Sequence, residues 1–259
     1  MSFSRLVVIA VNAFREVIRD RILYLVALYG VGFVVLGALL PRVAANTQDK
    51  MLMDMGLAAI ALIGLVTAIL VGTGLVNKEI TKRTIYVLMA KPVTSVDLVV
   101  GKHLGLTAVL GVLLAAMTVL YLGQLSLSGI AYPSGSLLLA VGYTLLELSL
   151  ITAVAILFGV ITSPLLAALL TLGVYLVGQL SPDLIELSEL IDSPALTRLT
   201  NGLYLVLPDL SRLNWRNQAV YGLELMPEPA ALAVHALYGL LYIVVMLAIA
   251  SAILSRREF

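Results

Sequence analysis

A membrane protein built entirely of α-helices and crossing the bilayer six times is the architecture that this chain's composition demands. Of its 259 residues, 61% are hydrophobic and only 12% are charged, against about 25% charged in a water-soluble domain. Mean hydropathy is +1.07. So little polar surface cannot cover a water-facing globule, which excludes a soluble enzyme, a nucleic-acid-binding domain and a disordered chain. The apolar residues are gathered into six stretches of near-spanning length, and Lys and Arg are divided unequally between the connections. Net charge is +1 and there is no cysteine, so bulk charge names no partner and thiolate metal sites are excluded.

Residues 1–21 read as an amphipathic elbow helix. At about 100° per residue, Arg5, Asn12, Arg15, Glu16, Arg19 and Asp20 share one face, and Leu6, Val7, Ala10, Val11, Ala13, Phe14, Val17 and Ile18 fall mostly on the other. Such a helix suits the cytoplasmic interface, either as a lipid anchor or with its polar face against a partner. The spans follow, each needing about 20 apolar residues because the hydrocarbon core is about 30 Å thick. They are Ile22–Leu40 (stopped by Pro41), Met55–Val76, His103–Gln124, Leu137–Val160, Leu165–Leu180 and Ala230–Leu254. Ile22–Leu40 is too long for a signal-peptide core and lacks a cleavage site. With six spans both termini share a side, which holds eleven Lys and Arg against five opposite. The termini are therefore expected in the cytoplasm, and the chain in a cell (inner or plasma) membrane. The whole chain, 1–259, reads as one transmembrane domain.

The sequence carries no GxxxxGK[ST], HExxH or GxSxG motif. No catalytic residue, metal site or cofactor is expected in this chain. Glu147 is the one acid deep in a span, where a carboxylate costs roughly 2.5–3.5 kcal/mol. It must face other helices or a wet cavity, as a structural hydrogen-bonding group or as one that handles a substrate or proton. Tyr143 lies one turn away, and depth arithmetic separates Glu147 from His235 with Tyr143 as the bridge; the three form a candidate intramembrane polar site. Gly56, Gly64 and Gly72 make a stripe, and Gly101 with Gly105 a GxxxG, for close packing within the chain or for a dimer or pore face. Residues 181–229 form a long outer-side helical loop. Ser181-Pro182-Asp183 looks like a helix start. Asp183, Glu186, Glu189 and Asp192 recur every three residues, as a solvated face or a cation site. Leu203–Leu207 suits a dip into the membrane, and Tyr204, Trp215 and Tyr221 suit its interface.

The connection over residues 77–102 is the most informative. A short helix fits Thr84–Ala90, Pro92 stops it, and Thr94 with Asp97 offers a capping box for the next helix. The connection resembles that of the permease subunits of type-2 ATP-binding-cassette transporters. The residues that carry the likeness are Glu79, Arg83-Thr84, Leu88, Ala90-Lys91-Pro92 and Gly101-Lys102. The Arg-Thr-Ile-Tyr form at Arg83–Tyr86 looks most like the multicopper-enzyme-maturation branch, which includes the nitrous-oxide-reductase-maturation permease. Leu207–Leu210 with Asn214 and the tail Arg256–Phe259 fit as well, so the likeness covers essentially the whole chain. It implies an exporter-type permease working as a homodimer among membrane lipids. Residues 77–102 would dock on a separate cytoplasmic ATPase subunit that binds ATP and Mg. Glu79, Arg83, Thr84, Tyr86, Leu88, Lys91 and Pro92 would make the main contact, and Ser163 with Pro164 a second. An extracytoplasmic protein is a further candidate partner; nucleic acid is not. The alternatives are a secondary transporter, which would need internal repeats and ionisable midplane groups, and a non-transporting scaffold that relays ATPase motion to an outer protein.

Overall fold

The computed structural model of the chain describes residues 3–19, 22–43, 47–81, 94–191, 198, 200, 202, 204 and 206–256. Every regular element among them is helical: α1 (Phe3–Arg19), α2 (Ile22–Val43), α3 (Gln48–Thr81), α4 (Ser95–Leu127), α5 (Ser134–Ile161), α6 (Pro164–Leu190), a 3-10 turn at Leu210–Leu213, the short α7 (Arg216–Ala219), a second 3-10 turn at Leu223–Leu225 and α8 (Pro229–Arg256). Helices α3, α4, α5, α6 and α8 are long and apolar enough to cross a membrane, and α2 carries a shorter apolar stretch, Tyr24–Leu40. Each of the six apolar stretches lies inside one of these helices. The chain is a multi-pass, all-α membrane protein.

The helices outrun the apolar stretches because a backbone ladder need not stop where the hydrocarbon stops. Helix α3 has 34 residues, about 51 Å at 1.5 Å per residue, well beyond a core of about 30 Å. Helix α4 begins eight residues before its apolar stretch, on the expected capping box. Thr94 Oγ1 accepts from Asp97 N at 3.1 Å and Asp97 Oδ2 accepts from Thr94 N at 3.3 Å. Two expected breaks are not observed. Helix α2 passes Pro41 to Val43, since a proline near a helix end costs one hydrogen bond rather than the helix. Helix α6 runs through Pro182 to Leu190. Ser181 therefore caps nothing; its hydroxyl donates to Val177 O, four residues back, at 2.8 Å. Asp183 and Glu186 are exposed on the end of this same helix.

Helix α5 is the axis of the bundle. It is the most buried span, packed by α3, α4, α6 and α8 and by the segment between α6 and α8. The stripe Gly56, Gly64 and Gly72 serves packing within the chain: added β-carbons would meet Tyr121 and Phe33, then Leu148, then Ala155. Tyr121 is fully buried and donates to Met53 O at 3.0 Å. Helix α1 packs along the first turns of α4, turning Ala13 and Val17 inward. Val7, Val8, Val11, Asn12, Arg15 and Glu16 stay exposed. So the elbow is bonded to the bundle by one stripe and offers its other faces outward.

Gly101 and Gly105 make that contact possible. A β-carbon at Gly105 would lie 2.5 Å from the Ala10 carbonyl and 2.7 Å from Ala13 Cβ, with backbone that cannot step aside. Gly105→Leu is expected to cost about 1–3 kcal/mol and to release α1. Thermal unfolding in detergent and the rate of tryptic cleavage at Arg15 measure both effects. Gly123→Leu, where an added β-carbon meets nothing within 4 Å, should change neither.

Candidate functional site

Glu147 is the fourteenth of the 28 residues of α5 and is completely buried. A carboxylate halfway along a span must find donors inside the protein, and two other parts of the chain bring them. Helix α6 supplies Gln179, whose amide Nε2 donates to Glu147 Oε1. The segment after α6 supplies Arg216, with Nη1 at 3.7 Å from Glu147 Oε2. Asn214 ties the two donors together. Its Nδ2 donates to Gln179 Oε1 at 3.0 Å, and its Oδ1 accepts from Arg216 Nε at 2.9 Å. The Tyr175 hydroxyl adjoins Arg216 and Gln179. Acid, amide, amide and guanidinium thus form one continuous network across α5, α6 and the following segment.

Arg216 reaches Glu147 because the chain dips back into the bundle. Leu213 and Leu146 of α5 both lie against Gly239 of α8, about 18 Å along α5 from its first residue. Ala219 has climbed back to Ser136, whose Oγ donates to Ala219 O at 2.6 Å. Non-helical backbone is tolerated at such depth only when protein covers it and satisfies it. Leu210, Leu213 and Ala219 are fully buried. Asp209 Oδ1 accepts from Ser211 N, and Asp209 N donates to the Tyr238 hydroxyl at 2.8 Å. Arg212 Nε pairs with Asp209 Oδ2 at 3.0 Å, and Arg212 Nη2 donates to Tyr204 OH. Gly178 lets the segment approach α6, for a β-carbon there would lie 2.7 Å from Pro208 O. The dip expected at Leu203–Leu207 is thus made by the residues after Pro208. Tyr204 and Val206 are helical, while 203 and 205 lie outside the described residues.

The expected trio of Tyr143, Glu147 and His235 is not assembled as a trio. Tyr143 OH donates to Leu232 O at 2.6 Å, tying α5 to α8 instead of bridging to Glu147, since the deeper dip has already filled the space beside the acid. His235 faces Trp215, ring centroids 5.5 Å apart. Tyr221 is exposed, with Lys50 Nζ 4.2 Å from its ring centroid. His103 is buried with Nε2 at 3.0 Å from Ser149 O. Lys102 Nζ donates to Leu75 O. Of the expected ATPase contacts, Glu79 lies in the last turns of α3, and Ser163 and Pro164 are exposed at the α5–α6 turn. Arg83, Thr84, Tyr86, Leu88, Lys91 and Pro92 lie outside the described residues. Sequence reasoning missed Gln179, Asn214 and Arg216 as partners of Glu147. The one available signal was that a midspan acid needs a base, and Arg216 stands in the loop counted as external.

Removing only the base should be worse than removing both charges. Arg216→Ala leaves Glu147 buried without its counter-ion and is expected to destabilise the protein by about 3–5 kcal/mol, whereas Glu147→Gln with Arg216→Gln should cost markedly less. Unfolding of the purified single and double variants gives the coupling directly; additive effects would remove the ion pair from this account.

No curated protein matches the chain in sequence. The family model described as ABC-2 family transporter protein matches residues 7–259, from within the elbow helix through the spans and the re-entrant network to the last residue. With the match spanning nearly all of a multi-pass helical bundle, the chain belongs to the ABC-2 transporter family of membrane permeases.

Proposed function

We propose that this chain is the membrane subunit of an ATP-driven, exporter-type transporter, working as a homodimer with two copies of a separate cytoplasmic ATPase subunit that binds ATP and Mg. The termini lie in the cytoplasm of a cell (inner or plasma) membrane. The observation that carries this reading is the family match over residues 7–259. The branch is that of multicopper-enzyme maturation, on the Arg83–Tyr86 motif.

Force enters through the connection between α3 and α4, where Glu79, Arg83, Thr84, Tyr86, Leu88, Lys91 and Pro92 face the ATPase. The geometry of the stems supports this. The Thr94–Asp97 box starts α4, Asp97 is buried, and Lys102 fastens α4 to the Leu75 carbonyl of α3. A connection rooted in two fastened helices moves them as a body when it is displaced. Ser163 and Pro164, exposed at the α5–α6 turn, make the second contact on the same face. Arg83→Ala with Tyr86→Ala is expected to abolish co-purification of the ATPase, or to leave it bound with ATP turnover no longer coupled. The helices should stay inserted, because both residues lie outside the apolar stretches. Unchanged association and turnover would remove this connection from the coupling role.

A further inference from the structure

The re-entrant segment is fastened in a way that points to movement. Among the described residues, five buried side-chain polar atoms lack a hydrogen-bond partner. Four of them belong to the segment or to the helices around it: Trp215 Nε1 and Gln218 Oε1 in the segment, Glu147 Oε2 on α5 and His235 Nδ1 on α8. Native interiors satisfy nearly all such groups, and those left over mark sites of strain or function. The charge pair is also loosely made. At 3.7 Å, Arg216 and Glu147 face each other through single atoms, not through the paired bonds that make a buried ion pair worth its desolvation. The regular elements of the segment are only three or four residues long. Its backbone is held by side chains of the surrounding helices, Tyr238 and Ser136, and its Asn214 side chain by Gln179.

We propose that the segment from Leu207 to Met226 is a withdrawable plug, latched inside the membrane by Arg216 on Glu147, and that its withdrawal opens Glu147 to water from the face opposite the termini. Withdrawal hydrates the four unpartnered atoms together, which offsets the loss of the loose pair. The same hairpin carries both acceptors of the latch. Glu147 lies 14 residues before the end of α5 and Gln179 lies 15 after the start of α6, about 21 and 22 Å from the Thr162–Ser163 turn. A displacement at that exposed turn therefore shifts Glu147 and Gln179 as a pair, away from Asn214 and Arg216. Once Arg216 has left, the cleft presents a carboxylate and an amide oxygen, a site for a cationic group in place of the guanidinium. That the displacement comes from an ATPase rests on the function proposed above; the latch itself does not.

The native chain has no cysteine, so single cysteines report accessibility cleanly. Leu213→Cys sits in the fully buried part of the segment, and Leu113→Cys in the fully buried core of α4 serves as the control. Both are exposed to a membrane-impermeant maleimide from the face opposite the termini, in vesicles holding the full complex. In the latched protein, Leu213→Cys is expected to react slowly. Adding Glu147→Gln with Arg216→Gln, which leaves no unpaired charge to unfold the bundle, should speed its labelling by about tenfold or more, with Leu113→Cys protected throughout. Equal rates in both backgrounds would show that apolar packing holds the segment, and would overturn the latch. Addition of ATP to the otherwise native complex should speed Leu213→Cys in the same way. A complex that hydrolyses ATP without that acceleration would overturn withdrawal as a step of the cycle. Failure of any ATPase to associate would overturn the proposed function, while the comparison of the two backgrounds still decides the latch.

Discussion

Inside a bilayer no water completes an unfinished hydrogen bond, and this protein is organised around that fact. Among the described residues, many buried hydroxyls are satisfied within a turn of their own helix. Thr67, Thr73, Thr118, Thr144, Thr152, Thr171 and Ser251 all donate to the carbonyl four residues earlier. A hydroxyl can do this because it is short and carries its own proton. His103 and Lys102 are longer and reach carbonyls on neighbouring helices. Glu147 can do neither: as an ionised carboxylate it only accepts, and a helix interior has no free donor to give it. Its donors must come from elsewhere in the chain, and the re-entrant segment with its glycine-lined approach is what brings them.

The same absence of water changes what holds the helices together. Lipid is as apolar as the side chains it touches, so burial of leucine against leucine does not drive association as it does in a soluble core. Contact must come from close fit and from polar bonds across the interfaces. The fit is visible where α3 lays Gly56, Gly64 and Gly72 against α4 and α5, and where α1 settles on Gly101 and Gly105. The polar bonds join the central helix to four of its neighbours: Ser149 to α4, Tyr143 and Ser136 to α8 and the segment, Glu147 to α6. Helix α5 is therefore both the most enclosed element and the one through which the others communicate.

This arrangement gives the permease two mechanically distinct ends. At one end, α4 is fastened to α3 through Lys102 and the Leu75 carbonyl, and the α5–α6 turn is exposed at Ser163 and Pro164. Opposite, a segment of short turns is held by side chains rather than by a long backbone ladder, which is the kind of structure that opens at low cost. The α5–α6 hairpin runs from one to the other. Membership of the ABC-2 transporter family fits a chain that has a buried ion pair within its helical bundle and no GxxxxGK[ST] motif in its sequence.

The sequence by itself determined the class of the protein, the position of every spanning helix, the capping box at Thr94 and the presence of a constrained acid at Glu147. Those properties are local: hydropathy is summed over a window, and a cap is read over four residues. The same local rules erred at Pro41 and Pro182, which the helices pass. They also left open which elements the glycines approach and what answers Glu147. Gln179 and Arg216 lie 32 and 69 positions beyond it in the chain, and nothing in their own neighbourhoods marks them as its partners. Arg216, read as one of five cations on the outer side, looks like a solvated charge. Only the tertiary fold, by turning the chain inward after Pro208 and closing it against Gly178 and Gly239, decided that this arginine would lie beside Glu147, midway along α5. The reason is that a buried charge selects its counter-ion by proximity in space, which a sequence does not contain.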